Sequence, residues 1–239
     1  GSFDTYEENV VFGKTYGKVE ISGMVHYRQT NGFDGTVKSD RQTILDNALS
    51  PFGVPPVSHA PGKVDDDRQE YDLNLKIVYK DFYVEGLYIN ENRGPFIGPG
   101  QALTDSANWE SNYVFGEAGY KKTLEERITM KPRVYYDQFD NNYRVNLNPD
   151  GATLPFDTNG DGITDVFKTY DNGIAAEAKV SEKVVGTEIP LDFELFDGNI
   201  LTLGLEYRLI NQTNIQYSTN FNPVTLDPLN SLQDFTDSY

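Results

Sequence analysis

Residues 71 to 89 read "YDLNLKIVYKDFYVEGLYI": apolar side chains fall on every second position, the chain turns at Lys80-Asp81, and the alternation resumes. A period of two sends successive side chains to opposite faces of a strand, so the stretch predicts a hairpin with one apolar and one polar face. Tyr71, Leu73, Leu75, Ile77 and Tyr79 share the first face. Asp72, Asn74, Lys76 and Lys80 share the other with Val78. The run from Tyr71 to Tyr79 spans ~26 Å at ~3.3 Å per residue.

The same alternation recurs in "VEISGMVHY" (19 to 27), "NYVFGEAGY" (112 to 120), "RITMKPRVYY" (127 to 136), "VVGTEIPLDFELF" (184 to 196) and "ILTLGLEYRLI" (200 to 210), with "TYEENVVFGK" (5 to 14) as a first strand. About eight strands are expected. With 16 Tyr and 14 Phe against 2 Met, the composition suits pleated surfaces better than helices. Pro132 and Pro190 fall inside expected strands, where a missing N–H marks an edge or a bulge. One short helix is expected in "SDRQTILDNALS", capped by Asp40, carrying Ile44, Leu45 and Leu49 and ending before Pro51.

The connections alternate. Tight ones at Lys14 to Lys18, Lys80-Asp81, Thr123 to Glu126 and Asp197-Gly198-Asn199 are rich in turn formers. Between them lie long ones, at 29 to 67, 91 to 110, 138 to 173 and from 212 onward. Structureless loops above ~12 to 15 residues are uncommon in compact domains, whereas tight turns at one end and long loops at the other belong to transmembrane barrels.

Alternation alone fits two arrangements, a barrel with lipid outside and water inside, or a soluble sheet whose apolar face is a core. Loop asymmetry, and tyrosines at both ends of a span close to the ~25 Å lipid-facing band, favour the first. The expected fold is therefore all-β: an antiparallel up-and-down meander forming part of a transmembrane β-barrel, with residues 1 to 239 as one partial barrel domain. In that arrangement Val19, Ile21, Gly23, Val25 and Tyr27 face outward with Leu201, Leu203, Leu205, Tyr207 and Leu209, and lipid is a partner.

A formal charge of −17 argues against nucleic acid as a partner, since binding phosphates takes clustered Lys and Arg. The absence of cysteine removes disulfides, thiolate metal sites and thiol nucleophiles. No run of ~18 apolar residues predicts a membrane helix. The mean hydropathy of −0.54 suits a soluble chain, but it says nothing against a barrel, whose strands show lipid only alternate residues.

"GSFDTYEENVVFGKTYGKVEISGMVHYRQTNGFDG" resembles the early barrel strands of TonB-dependent outer-membrane receptors. Gly1, Ser2 and Phe3 stand at the opening, Gly13 in the first strand, Gly17 in the turn, Ser22-Gly23 in the second strand and Asn31-Gly32 at the loop. "GTEIPLDFELFDGNILTLGLEYRLI" is similar to a mid-barrel hairpin of that family. The resemblance implies a 22-stranded barrel in the Gram-negative outer membrane, occluded by an N-terminal plug, importing ferric siderophores, cobalamin or other scarce ligands with energy from TonB. Against that pattern the chain reads as an internal fragment, starting after the plug and ending mid-barrel. Two other classes fit the residues: a complete eight-stranded outer-membrane protein of structural or adhesive role, and a soluble β-sandwich or lipocalin-like binding module.

His26, Arg28, Arg133, Tyr135, Glu206 and Arg208 are expected on the water-facing side, lining a lumen, meeting a plug or guiding an anionic ligand, and the extracellular partner expected is a small molecule or metal chelate. The same charges also suit the plain hydrated face of a sheet. The aromatics and glycines of "NRGPFIGPGQ" (92 to 101) fit either contact with ligand or, more commonly, plain loop-tip chemistry.

"DTNGDGITD" (157 to 165) places Asp157, Asn159, Asp161, the Ile163 carbonyl and Asp165 at calcium-loop spacing around Gly162, but Lys168 stands where a bidentate Glu is normal. A Ca2+ brace and a bare acidic turn both fit. His26 and His59 are the only histidines, too few for a transition-metal site. No "GxSxG" elbow is present, and the carboxylates are too many to single out an acid/base pair. Enzymatic activity is not expected.

Overall fold

The computed structural model describes residues 3–105, 107–125 and 127–236. Gly1 and Ser2 of the opening motif and Glu126 of the third tight turn lie outside them. The strands are β1 (Tyr6–Tyr16), β2 (Val19–Thr30), β3 (Thr36–Val37), β4 (Gly62–Lys63), β5 (Arg68–Tyr79), β6 (Phe82–Arg93), β7 (Asn108–Tyr120), β8 (Lys122–Leu124), β9 (Ile128–Met130), β10 (Arg133–Asn148), β11 (Ala152–Phe156), β12 (Val166–Tyr170), β13 (Ile174–Phe196), β14 (Asn199–Phe221) and β15 (Pro228–Asp234). Helix α1 (Arg41–Leu49) lies between β3 and β4, followed by a 3-10 turn at Ser50–Phe52. The fold is all-β, an antiparallel meander in the order β1-β2-β5-β6-β7-β10-β13-β14-β15. Among the described residues it stays open: no strand pairs the free side of β1 or joins the two ends of the sheet.

The meander has nine strands where about eight were expected, and several run further than the apolar alternation. β10 continues to Asn148 and β14 to Phe221, while β11 and β12 form a separate hairpin inside the expected loop 138 to 173. "DNNYRVNLN" and "NQTNIQYSTN" lie in segments expected as loop, yet the ladder continues there, and Tyr143, Val145 and Leu147, like Ile215 and Tyr217, fall on alternate positions of a short polar-rich strand.

The two prolines stand at one fault in the ladder. Pro132 interrupts the strand expected over 127 to 136, splitting it into β9 and β10, and both halves pair with β13. Pro190 remains inside β13 opposite Gly204 of β14. Its carbonyl accepts from the Lys131 N–H at 3.0 Å, but it has no N–H to return, so the ladder breaks where a donor is lacking.

Register sorts the faces, because directly paired residues point the same way. Ile21, Ile77, Val84, Ala118, Val134, Thr187 and Tyr207 form one continuous row, and Val25, Leu73, Tyr88 and Val114 another. This apolar face has no second layer: Tyr71, Leu73, Leu75, Ile77 and Tyr79 are 37% to 47% exposed, and Leu205 is 78% exposed. On β5 the polar alternates Asp72, Asn74 and Lys76 are the more enclosed set.

The apolar band crosses the strands at a slant. Tyr6, Tyr27, Tyr71, Tyr88, Tyr136 and Tyr207 mark its upper rim; Tyr27 and Tyr71 share a rung, and each of the other steps along this series moves the tyrosine toward the tight-turn end. The drift is about one residue per strand, which at ~3.3 Å rise and ~4.8 Å spacing corresponds to a strand tilt of roughly 35° to 40° from the normal of the band. Tyr16, Tyr79, Phe82 and Tyr120 edge its lower side on a single rung that does not slide from β1 to β7, with Phe82 and Tyr120 in ring contact at 4.5 Å.

The buried core sits among the long loops. Leu49, Ala102, Leu103, Val145, Ala152, Tyr170 and Ile174 are buried there. Asp40 caps α1 in a capping box with Thr43, as expected. Its carboxylate also accepts from the Leu103 N–H (2.8 Å) and the Ser58 hydroxyl (2.8 Å). Burial alone would raise Asp40, but these donors outweigh it and hold the carboxyl below its usual range. Leu49 is buried and Ile44 is exposed, so the helix is pinned chiefly by polar contacts rather than by an apolar stripe. α1 stops before Pro51, which lies in the following 3-10 turn.

Candidate functional site

On the polar face, at the loop end, two adjacent rungs cross the sheet. The upper one is Thr30, Arg68, Arg93, Trp109 and Tyr143; the lower is Arg28, Glu70, Glu91, Ser111 and Asn141. The upper rung and Arg28 of the lower one, with Phe3, Phe33, Phe96, Asp66 and Asp67, wall a cleft of about 570 Å³, within the size range of small-ligand sites. Gly94, Pro95, Phe96, Gly98 and Pro99, in the loop read as either a ligand contact or a plain loop tip, form one side of it.

Three guanidinium groups share two carboxylates. Glu70 lies 3.7 Å from Arg28 and closer still to Arg68. Glu91 lies 3.3 Å from Arg68 and 3.8 Å from Arg93. The Nε atoms of Arg28 and Arg68 are buried without a hydrogen-bond partner. Arg93 stacks on the indole of Trp109 at 3.9 Å, a cation–π arrangement. Trp109 Nε1 donates to Asn141 at 2.7 Å and its ring meets Tyr143 edge-on at 5.3 Å, which fixes the indole plane.

At the rim, the Asp66 carboxylate accepts from the Phe33 N–H (2.8 Å). Asp65 is pushed up to about 7 by partial burial and by sharing a hydrogen bond with Asp67. An antiparallel bridge between Asp65 and Phe96 joins this loop to the next, with N–H···O distances of 3.1 and 2.6 Å.

The six residues expected on the water-facing side all fall on the polar face, in two groups. His26 pairs through Nδ1 with Asp72 (2.8 Å) and lies 3.5 Å from Glu7; Arg28 belongs to the cleft. Arg133 bridges Glu117 (2.9 Å) and Glu188 (2.6 Å), and Tyr135 donates to Glu206 (2.8 Å). Arg208 has no ion pair among the described residues. The Arg133 rung lies ~26 Å along the strands from the Arg28 rung, so the six do not form one site. Arg68, Arg93, Trp109 and Tyr143 were not singled out from sequence.

Residues 157 to 165 form the tip of the β11–β12 hairpin. Asp157 accepts from the N–H groups of Asn159 (3.2 Å), Gly160 (2.6 Å) and Gly162 (2.6 Å). The Asn159 side chain accepts from the Asp161 N–H (2.9 Å), Asp161 from the Ile163 N–H (2.8 Å), and Asp165 from the Thr158 N–H and hydroxyl (3.0 and 2.9 Å). These oxygens organise the turn through backbone donors. Among the described residues no three acidic or His side chains stand close enough to hold a metal.

No protein-family model, curated protein or solved structure matches the chain.

Proposed function

We propose that this sheet is an arc of a transmembrane β-barrel in an outer membrane, and that it forms part of the wall of a TonB-dependent type of receptor capturing a scarce extracellular solute such as a ferric siderophore or cobalamin. The observation that carries the reading is the exposed apolar face, bounded at the loop end by a tyrosine rim that slides on average about one residue per strand. A soluble protein buries such a face. A flat hydrocarbon slab cut by tilted strands requires both the band and the slide, and barrel strands tilt by about 35° to 45°.

The open edges bear on the same reading. Unpaired N–H and C=O groups cost several kcal/mol each in hydrocarbon, so an arc spanning lipid needs further strands beyond β1 and β14. A plug and TonB are the expected partners of such a wall. The polar face would then meet water, with the loop-end cleft opening toward the outside.

The absence of cysteine makes the test direct. Single cysteines at Leu73, Leu75 and Ile77 are expected to react with a membrane-restricted reagent in native membranes, and those at Asp72, Asn74 and Lys76 with a water-soluble maleimide. Equal labelling of both sets from water would reject the membrane reading.

A further inference from the structure

We propose that the loop-end cleft binds a ring-bearing carboxylate, the ring lying against Trp109 and Tyr143 and the carboxylate taken by Arg28 and Arg68. The proposal rests on the cleft and not on membrane insertion.

Donors are in surplus. Three arginines offer about fifteen N–H groups, and among the described residues the carboxylates paired with them are Glu70 and Glu91. The Nε of Arg28 is buried with no hydrogen-bond partner, and the Nε of Arg68 is buried with only the Glu91 carboxylate beside it, at 3.3 Å and out of hydrogen-bond alignment. A buried guanidinium N–H without a partner is costly, and a carboxylate is the acceptor whose two oxygens match the guanidinium fork.

The neighbouring acids do not fill that role. Asp66 is held by the Phe33 N–H, and Asp67 shares its hydrogen bond with Asp65. Both line the cleft beside the Arg rung, and neither supplies a hydrogen bond to the buried Nε of Arg28 or Arg68.

The ring requirement comes from the wall. Trp109 is about two-fifths exposed (38%). Its indole is locked by Asn141 on one edge and Tyr143 on another, and Arg93 covers one face. Phe96 and Phe33 are exposed nearby. Pre-set aromatic surface beside unspent guanidinium donors suits a planar aromatic or alicyclic acid, and equally the C–H face of a sugar acid; both present a carboxylate on a ring.

Trp109 is the only tryptophan in the chain, so its fluorescence reports this cleft alone. The full chain in detergent is titrated with cyclohexanecarboxylate and with glucuronate, each beside its neutral counterpart, cyclohexanol or glucose. At least one acid is expected to change the emission saturably, with its neutral partner about tenfold or more weaker. Response to the alicyclic acid alone identifies an apolar ring acid as the ligand class; response to glucuronate alone identifies an acidic sugar.

Arg28→Gln and Arg68→Gln should each weaken the acid about tenfold, while Arg208→Gln at the far end leaves it unchanged. Acid and alcohol titrating alike overturn the proposal, as do unaltered affinities in both Arg28→Gln and Arg68→Gln. The ratio of acid to alcohol in the unsubstituted chain reads the proposal even where a variant fails to fold. Failure here leaves the cysteine labelling pattern untouched, and an aqueous labelling pattern leaves the titration interpretable.

Discussion

Arg68 and Arg93 stand directly opposite one another on β5 and β6, on the same face, with the Glu91 carboxylate 3.3 Å from the first and 3.8 Å from the second. Like charges in directly paired positions repel across a ladder. The pair persists because Glu70 and Glu91 lie one rung below and divide their charge among three guanidinium groups.

Replacing Glu91 by Gln should therefore destabilise the loop end more than replacing Arg93 by Gln, because the first leaves two opposed cations under-compensated and the second removes one of them. The side chains are more than a third open on the arginine side, so the loss is about 1 kcal/mol or less. Denaturant midpoints of E91Q, R93Q and the double variant measure it. The expected order is E91Q lowest, with the double variant recovering toward wild type.

The loop cap makes a sharper stability prediction. Asp46 is buried and accepts from the Val57 N–H (2.9 Å), the Ser58 N–H (2.8 Å) and Gln42 Nε2 (2.8 Å). Gln42 in turn accepts from Asn148 of β10 (2.8 Å). Asp46→Ala strands three donors, at about 1–3 kcal/mol for a buried unsatisfied group. Amide protection at Val57 and Ser58 should collapse, and limited proteolysis should cut between α1 and β4, while the strands of the apolar band keep their protection.

Acid is expected to act in opposite directions at two places. Asp65 is raised above its unfolded value, so the folded loop binds its proton more tightly and the resulting stability is present below about pH 4 and lost as pH rises through about 7. Because Asp65 is also open to solvent, screening reduces the size of this effect but not its sign. At the hairpin tip the signs reverse. N–H donation to Asp157, first from Gly162, and the Thr158 hydroxyl and N–H at Asp165 lower both carboxyls, so the tip is held above pH 3.8 and loosens below it. Amide protection followed against pH should show the Phe96 N–H strengthening from pH 8 to 5 and the Gly160 and Gly162 N–H weakening only below about 4. Asp65→Asn should flatten the first profile alone.

The faces of the sheet were legible because the tight turn at Lys80-Asp81 and the period of two fix them together: Tyr71 to Tyr79 face one way whatever lies beyond. The cleft was not. Arg68 and Arg93 lie past the apolar band, where "RQE" and "NENR" carry no alternation to follow, although the turn pairing Tyr79 with Phe82 already sets Arg68 against Arg93. Trp109 and Tyr143 join them only through the register across the loop from Gly94 to Ala107, and no turn signal fixes that register. Pro132 and Pro190 were legible as a ladder fault but not as the same fault, since β9 and β10 meet β13 from two segments separated by the bend.

Gly186 of β13 gives a last test of how tightly the polar face is organised. It lies opposite Tyr135 of β10, whose ring covers the glycine, so that a Cβ there would run into the phenol end. From that position the Tyr135 hydroxyl reaches past β13 to Glu206 of β14. Gly186→Ala should push the ring aside and break the Tyr135–Glu206 hydrogen bond with little change in the backbone ladder, because the clashing atoms belong to a movable side chain. Gly23 differs: a Cβ there would stand 2.8 Å from the Asn74 backbone carbonyl as well as against the Phe12 ring, so Gly23→Ala must shift β2 against β5. Thermal midpoints should therefore fall clearly further for Gly23→Ala than for Gly186→Ala, and Tyr135→Phe should reproduce the small loss of the latter. Equal losses at both glycines would mean that the Tyr135 ring is as fixed as backbone.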